Sequence, residues 1–227
     1  MNTKLNDFEK FAVSNGIGTS TLDRFNKSNL KSYGRVSPII LEEREMNVIG
    51  LDIFSRLMYD RVLFLGTVVD EDSANIINSQ LMYLNSTGSE DVKLFLNTPG
   101  GSVIDGLSIY DVMNYITPDV ATYCMGMCAS MGSVLLSSGA KGKRFSLPNG
   151  EIMMHQLGSK VEGKFADMEI AIKHASRLQD KLFRILAENT GKTPEEIKRD
   201  ADRDNWLTAE GALEYGLIDQ VIKTSKQ

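Results

Sequence analysis

A serine nucleophile needs a base to take its proton, and this chain of 227 residues offers only two histidines, His155 and His174. His155 closes the apolar run Glu151-Ile-Met-Met just before the chain turns polar, and strand ends of a parallel sheet are where α/β sites are assembled. His174 lies beside Lys173 on the flank of a long amphipathic stretch and reads as a solvated or partner-facing residue. The serine best suited to such a base is Ser130. An apolar strand from Val120 to Met125 leads through Gly126, Met127, Cys128 and Ala129 to this serine, which heads a second apolar run. A helix N-terminus carries unpaired N–H groups and the positive end of the helix dipole, which favours a side chain that develops negative charge. Ala129 and Gly132 leave room for a sharp turn. The arrangement follows the logic of a nucleophile elbow without its Gly-x-Ser-x-Gly spacing, since Cys128 stands two residues before the serine. The same segment also suits an ordinary N-capping serine.

Acyl transfer further requires donors aimed at the developing oxyanion. The turn Asn97-Thr-Pro-Gly-Gly-Ser follows a strand and opens a helix, and its glycines allow close backbone approach and positive φ. Gly101 can supply one N–H there and Met131, at the serine helix, another. A third group must orient the imidazole. Asp167, Asp180, Asp200, Asp202, Asp204 and Asp219 all follow His155, and the residues alone do not choose among them.

The elements that would hold these groups alternate. Asp52–Asp60 has helical periodicity, Arg61–Leu65 reads as a buried strand, and Asp72–Leu84 as a helix with Ile76, Ile77, Leu81 and Leu84 recurring at three and four. Val92–Leu96 is a second strand and Gly106–Ile116 a helix stopped by Thr117-Pro118. The serine strand and helix come next, then short strands at Lys143–Ser146 and Glu151–His155. A long amphipathic helix runs from Phe165 to Asn189, with Gly191 to end it. Thr193-Pro-Glu-Glu196 starts another helix with a capping box. This order predicts right-handed βαβ units around a largely parallel sheet. Residues 1–36 are polar and read as a leader, and the stretch from Pro38 to Gly50, apolar, then charged, then apolar, reads as an exposed loop.

Composition bounds the function. A net charge of −5 argues against nucleic acid or an anionic membrane as the main partner. No stretch has the apolar length of a membrane span and the N-terminus lacks the core of a secretory signal, so a cytoplasmic location is expected. Cys124 and Cys128 are too few for a disulfide framework or a zinc site and read as free thiols.

Taken together, the motifs Asn97-Thr-Pro-Gly-Gly-Ser102, Cys124-Met-Gly-Met-Cys-Ala-Ser-Met-Gly132, Gly139-Ala-Lys-Gly-Lys-Arg-Phe145, Met154-His-Gln156, Arg199-Asp-Ala-Asp-Arg-Asp204 and Glu214-Tyr-Gly-Leu-Ile-Asp219 resemble the proteolytic subunit of the Clp protease. The resemblance implies an α/β fold of the Clp protease/crotonase type, a spiral of βαβ units with a protruding strand-helix handle. It implies a triad of Ser130, His155 and Asp204, an oxyanion hole from Gly101 and Met131, and a charged pair, Asp202 and Arg203, that links ring contact to triad alignment. The expected product is an ATP-dependent serine endopeptidase subunit acting on unfolded proteins inside two stacked seven-membered rings. The subunit itself needs no cofactor: ATP is used by a partner unfoldase ring, and no nucleotide-binding Gly-x4-Gly-Lys-Ser/Thr loop occurs. The same resemblance divides the chain into a propeptide over 1–36 and a peptidase domain over 37–227. Within the latter, an axial loop covers about 38–50, a head about 51–155, a handle about 156–189 and a C-terminal part 190–227, with Val36-Ser37-Pro38 as the mature start. A crotonase-like acyl-CoA enzyme and a non-catalytic ring subunit are the competing readings; the first needs no Ser/His pair and the second has lost triad residues. Two departures from the family pattern stand out. Met127-Cys128 replaces the usual Gln-Ala, which alters the wall behind the nucleophile and puts a thiol near it. Leu157-Gly-Ser-Lys160 replaces Pro-Leu-Gly-Gly, removing a rigid proline beside the base.

Overall fold

The computed structural model describes residues 39–44, 47–158 and 162–223, and the leader, the expected mature start and the last four residues lie outside them. The chain divides into a unit ending at Arg56 and a larger one beginning at Leu57. In the first, β1 (Ile39–Arg44) pairs antiparallel with β2 (Asn47–Asp52), Ile39 opposite Asp52 and Arg44 opposite Asn47. The stretch read as an exposed loop thus forms a paired hairpin: its charged residues interrupt the apolar pattern without interrupting the backbone pairing. α1 (Ile53–Tyr59) follows, opened by Asp52, whose carboxylate accepts the Phe54 and Ser55 N–H groups.

The larger unit is built on β3 (Val62–Leu65), α2 (Glu71–Thr87), β4 (Val92–Thr98), α3 (Val103–Tyr115), β5 (Val120–Ala129) and α4 (Met131–Ser137), in the expected alternation. β6 (Arg144–Ser146), β7 (Glu151–Met154), α5 (Phe165–Thr190), α6 (Pro194–Asp200), β8 (Asn205–Thr208), α7 (Ala209–Tyr215) and β9 (Gln220–Val221) complete it. Strands β3, β4, β5, β6 and β9 lie side by side and parallel. One face of these strands is sealed by Leu63, Leu65, Leu94, Leu96 and Cys124, all almost fully buried. On the other face, register stacks Phe64, Phe95, Tyr123 and Phe145 across four strands, with ring centroids 5.2, 4.6 and 4.8 Å apart.

The sheet forks at β5. Thr122 to Cys124 pair with β6, whereas Met127 to Ala129 pair with β7. Between them the register against β4 shifts: Leu96 faces Cys124 but Thr98 faces Cys128, so two extra residues bulge out around Gly126. Gly126 has φ +87, and a Cβ there would lie 2.9 Å from Asn97 Oδ1, which accepts the Met127 N–H. The bulge therefore depends on a glycine and on one asparagine beneath it. β7 in turn pairs antiparallel with β8, a strand the sequence reading did not foresee.

α5 buries only its C-terminal half, through Phe183, Ile185, Leu186 and Ala187. Phe165, Ile170 and Ile172 near its start are exposed. Gly191 ends the helix in the left-handed conformation and Thr193 with Glu196 forms the capping box of α6, as the sequence predicts. Arg144 is buried and ties these parts together. It forms a two-armed pair with Asp219 and donates to the carbonyls of Ser137 and Asn189, at the ends of α4 and α5.

Candidate active site

Strand register brings the candidate residues together. Ala129 of β5 faces Met153 of β7, and the Ser130 N–H donates to the Met153 carbonyl at 2.9 Å. Met154 of β7 faces Asn205 of β8, so the next residues outward, His155 and Asp204, stand side by side. His155 Nε2 lies 2.9 Å from Ser130 Oγ, and His155 Nδ1 lies 2.9 Å from Asp204 Oδ1. Of the six aspartates left open by the sequence, Asp204 is the one paired with this imidazole; Asp219 binds Arg144 and Asp200 binds Arg199 and Tyr215. His174 is exposed on α5 and is not among the residues that line the cavity at Ser130.

Ser130 does stand at the head of α4, yet its side chain does not cap the helix. Its backbone has φ 55 and ψ −121, a conformation that L-residues rarely adopt. The turn is held from both sides: the Ser130 N–H donates to the Met153 carbonyl, and the Ser130 carbonyl accepts the Ser133 N–H at 3.0 Å and the Ser133 hydroxyl at 2.7 Å. Strain that is over-determined in this way turns the hydroxyl out of the capping position and towards His155.

Gly101 and Met131 both line the cavity that contains Ser130. Val69 donates to the Gly100 carbonyl and accepts from the Ser102 N–H. The Gly101 N–H, anti to the Gly100 carbonyl across a trans peptide, faces away from Val69. Met131 is the first residue of α4, where an N–H has no intrahelical acceptor. Among the described residues neither N–H has a hydrogen-bond partner. Gly100, at φ +87, packs directly on the serine turn: a Cβ there would lie 2.6 Å from the Ala129 carbonyl, 2.7 Å from Ser130 Cβ and 2.9 Å from the Met131 nitrogen.

The cavity beside the serine measures about 270 Å³. Apart from its polar mouth it is walled by apolar side chains, among them Val134, Met153, Leu157, Leu182, Phe183 and Leu186. Leu157 thus contributes an apolar wall next to His155, and its N–H is fixed by Gln179 at 3.1 Å. The expected thiol beside the nucleophile is not found. Cys128 alternates to the core face, fully buried, with Sγ against the Leu96 carbonyl, and it is absent from the cavity lining. Both cysteines are free, as expected. Burial pushes the Cys128 thiol well above its ordinary pKa, with Cys124 adding to the shift. Cys124 is held below the ordinary value by its hydrogen bond with Cys128, against the effect of its own burial.

Asp202 and Arg203 project into solvent, 3.7 Å apart, while the Asp202 carbonyl accepts from Gln156 Nε2 at 2.7 Å. That bond ties the residue after His155 to the segment that carries Asp204. The sequence reading missed two supporting side chains, Asn97 under the β5 bulge and Thr98 under the glycine turn. Both lie within a motif already singled out for its glycines. Among the described residues no cluster of three or more metal-ligating side chains occurs, and no helix is long and apolar enough to cross a membrane.

Comparison with known proteins gives these distances a setting. The family model described as Clp protease matches residues 44–225. The chain is 46% identical to an ATP-dependent Clp protease proteolytic subunit of Porphyromonas gingivalis over 225 residues, covering 98% of this chain and all of the relative. Proteins of the same description from Bacteroides fragilis and Bacteroides thetaiotaomicron are 46% and 45% identical over 220 residues, covering 96% of this chain and 99% of each relative.

Proposed function

The chain belongs to the Clp protease family, and on that premise we propose that Ser130, His155 and Asp204 are the catalytic triad of a serine endopeptidase subunit working with an ATP-driven unfoldase. The observation that carries the assignment is the continuous hydrogen-bonded line from Ser130 Oγ through both ring nitrogens of His155 to Asp204. His155 Nε2 takes the hydroxyl proton as Oγ attacks a peptide carbonyl carbon, and Asp204 holds the ring in the required tautomer and stabilises its cation. The N–H groups of Gly101 and Met131 receive the oxyanion. Collapse of the tetrahedral intermediate expels the amine, protonated by His155, and water then releases the acyl group by the same steps in reverse. The apolar walls of the adjoining cavity favour an uncharged, medium-sized side chain before the scissile bond.

The remaining roles follow the same reading. The subunit binds no nucleotide, and ATP is consumed by the partner ring. Two stacked seven-membered rings enclose the sites. The handle, about residues 156–189, makes the ring-to-ring contact, which gives the exposed Phe165, Ile170 and Ile172 an apolar partner. Asp202 and Arg203 relay that contact to the triad. The hairpin of β1 and β2 serves as the axial segment, residues 1–36 are a propeptide removed by the enzyme itself, and the protein acts in the cytoplasm.

Ser130→Ala tests the core of this. Purified beside the wild type, it is expected to assemble normally, to leave a fluorogenic peptide uncut, and to retain by intact mass the leader that the wild type loses. Retained peptide hydrolysis would overturn the nucleophile assignment.

A further inference from the structure

Thr98 ends β4 fully buried, with each half of its side chain committed to a different arm of the site. Its Oγ1 accepts the Gly100 N–H at 3.1 Å, closing a tight turn around Pro99. Its methyl lies against α4: a Cβ at Gly132 would come within 2.7 Å of Thr98 Cγ2 and 3.2 Å of the Thr98 carbonyl. The hydroxyl therefore fixes the peptide that precedes the Gly101 N–H, and the methyl abuts the residue that follows Met131. We propose that Thr98 is the positioning residue of the oxyanion hole: its hydroxyl, by fixing the Gly100 turn, sets the direction of the Gly101 donor relative to Met131. The proposal rests on the reading of Ser130 as nucleophile and of these two N–H groups as its oxyanion donors.

The physical argument is one of rotational freedom. With its carbonyl held by Val69 and its N–H held by Thr98, Gly100 cannot rotate about either flanking peptide. A glycine at positive φ has no Cβ to resist such rotation, so these two hydrogen bonds carry the constraint. Without the hydroxyl, the buried Gly100 N–H loses its acceptor and the turn reorients to find another. The Gly101 N–H then swings off the position where the oxyanion forms, while the apolar cavity that binds the substrate side chain is untouched. Transition-state stabilisation falls, and ground-state binding does not.

Thr98→Val removes the hydroxyl and keeps the branched shape, while Thr98→Ser keeps the hydroxyl and removes the methyl. Misdirecting one donor, rather than deleting it, is expected to lower kcat by about 10- to 100-fold in the valine variant, with KM within about twofold of wild type. The serine variant should keep kcat within about threefold. A peptide aldehyde, whose adduct with Ser130 places an oxygen in the hole, should lose affinity for the valine variant in proportion to the fall in kcat. If Thr98→Val does not fold, Thr98→Ala against Thr98→Ser isolates the hydroxyl equally well, since both lack the methyl. A valine variant, or an alanine variant in that second comparison, with unchanged kcat overturns the proposal, as does a rise in KM alone. If Ser130→Ala is inactive in the same assay, that failure belongs to Thr98; if Ser130→Ala still cleaves, the reading beneath it has failed as well.

Discussion

Asp204→Asn probes the least enclosed member of the site. In a buried triad of this kind the equivalent change costs about 10⁴ in kcat, because the amide favours the wrong imidazole tautomer and no longer stabilises the cation. Here the Asp204 side chain is 63% exposed and that of His155 is 30% exposed. A carboxylate and an imidazolium 2.9 Å apart attract by about 1.4 kcal/mol at the dielectric of water and about 6 kcal/mol at an effective constant of 20. Exposure puts this pair between those limits. A loss of about 2–4 kcal/mol follows, which at 1.36 kcal/mol per decade is a fall of about 30- to 1,000-fold in kcat. KM should hardly change, because the carboxylate does not line the cavity beside Ser130. Steady-state hydrolysis of a fluorogenic peptide, without unfoldase, measures both constants. The ratio of wild-type to variant kcat should also narrow as salt is raised, since an exposed pair is screened. A variant within twofold of wild type would refute the orienting role, and a loss as complete as that of Ser130→Ala would refute the argument from exposure.

Two further predictions concern the scaffold. Burial alone would raise the Asp219 carboxyl, but the Arg144 guanidinium and the N–H groups of Arg144 and Gly142 outweigh it and hold the pKa below the ordinary value. A depressed pKa gives stability that is present above the unfolded value, near 3.9, and lost as pH falls through the folded one. Asp219→Asn, which leaves Arg144 buried without its charge partner, should cost about 3 kcal/mol at pH 7. Denaturant titrations should show the gap to wild type closing below about pH 4, and a gap independent of pH would contradict the pairing. Cys124 and Cys128 should resist a thiol-reactive dye in the native protein and both react once it is unfolded. Rapid native labelling of Cys128 with loss of activity would mean that this thiol faces the cavity after all.

The parts of the fold legible in the sequence were those whose burial writes a pattern. Parallel strands buried on one face and carrying an aromatic row on the other leave nearly continuous apolar runs, as at Val62–Leu65 and Leu94–Leu96, and the helices between them keep their apolar spacing. β8, α7 and β9 were not legible: β8 buries no residue fully and so writes no apolar run, and α7 and β9, of seven and two residues, are too short to establish a period. The end of β5 was misjudged for another reason. Gly126 looks like a strand terminator in one dimension, but here it is the bulge that lets one strand serve two neighbours in turn.

That bulge also explains why the site was only half legible. Ser130 and His155 could be found because each sits at the end of a readable strand, and β5 and β7 are parallel neighbours past the fork. Asp204 could not be found by physical reading, because its selection is a matter of antiparallel register with a strand that left no pattern. Side chains alternate with a period of two, so a one-residue slip of β8 would set Arg203 or Asn205 beside the imidazole in place of Asp204. A cation or an amide there would give a different protein from nearly the same sequence. The choice among six aspartates was therefore never a question about carboxylates. It is decided by the hydrogen bonds that place Met154 opposite Asn205, and by the Gln156 bond to the Asp202 carbonyl that holds the neighbouring segment in that register.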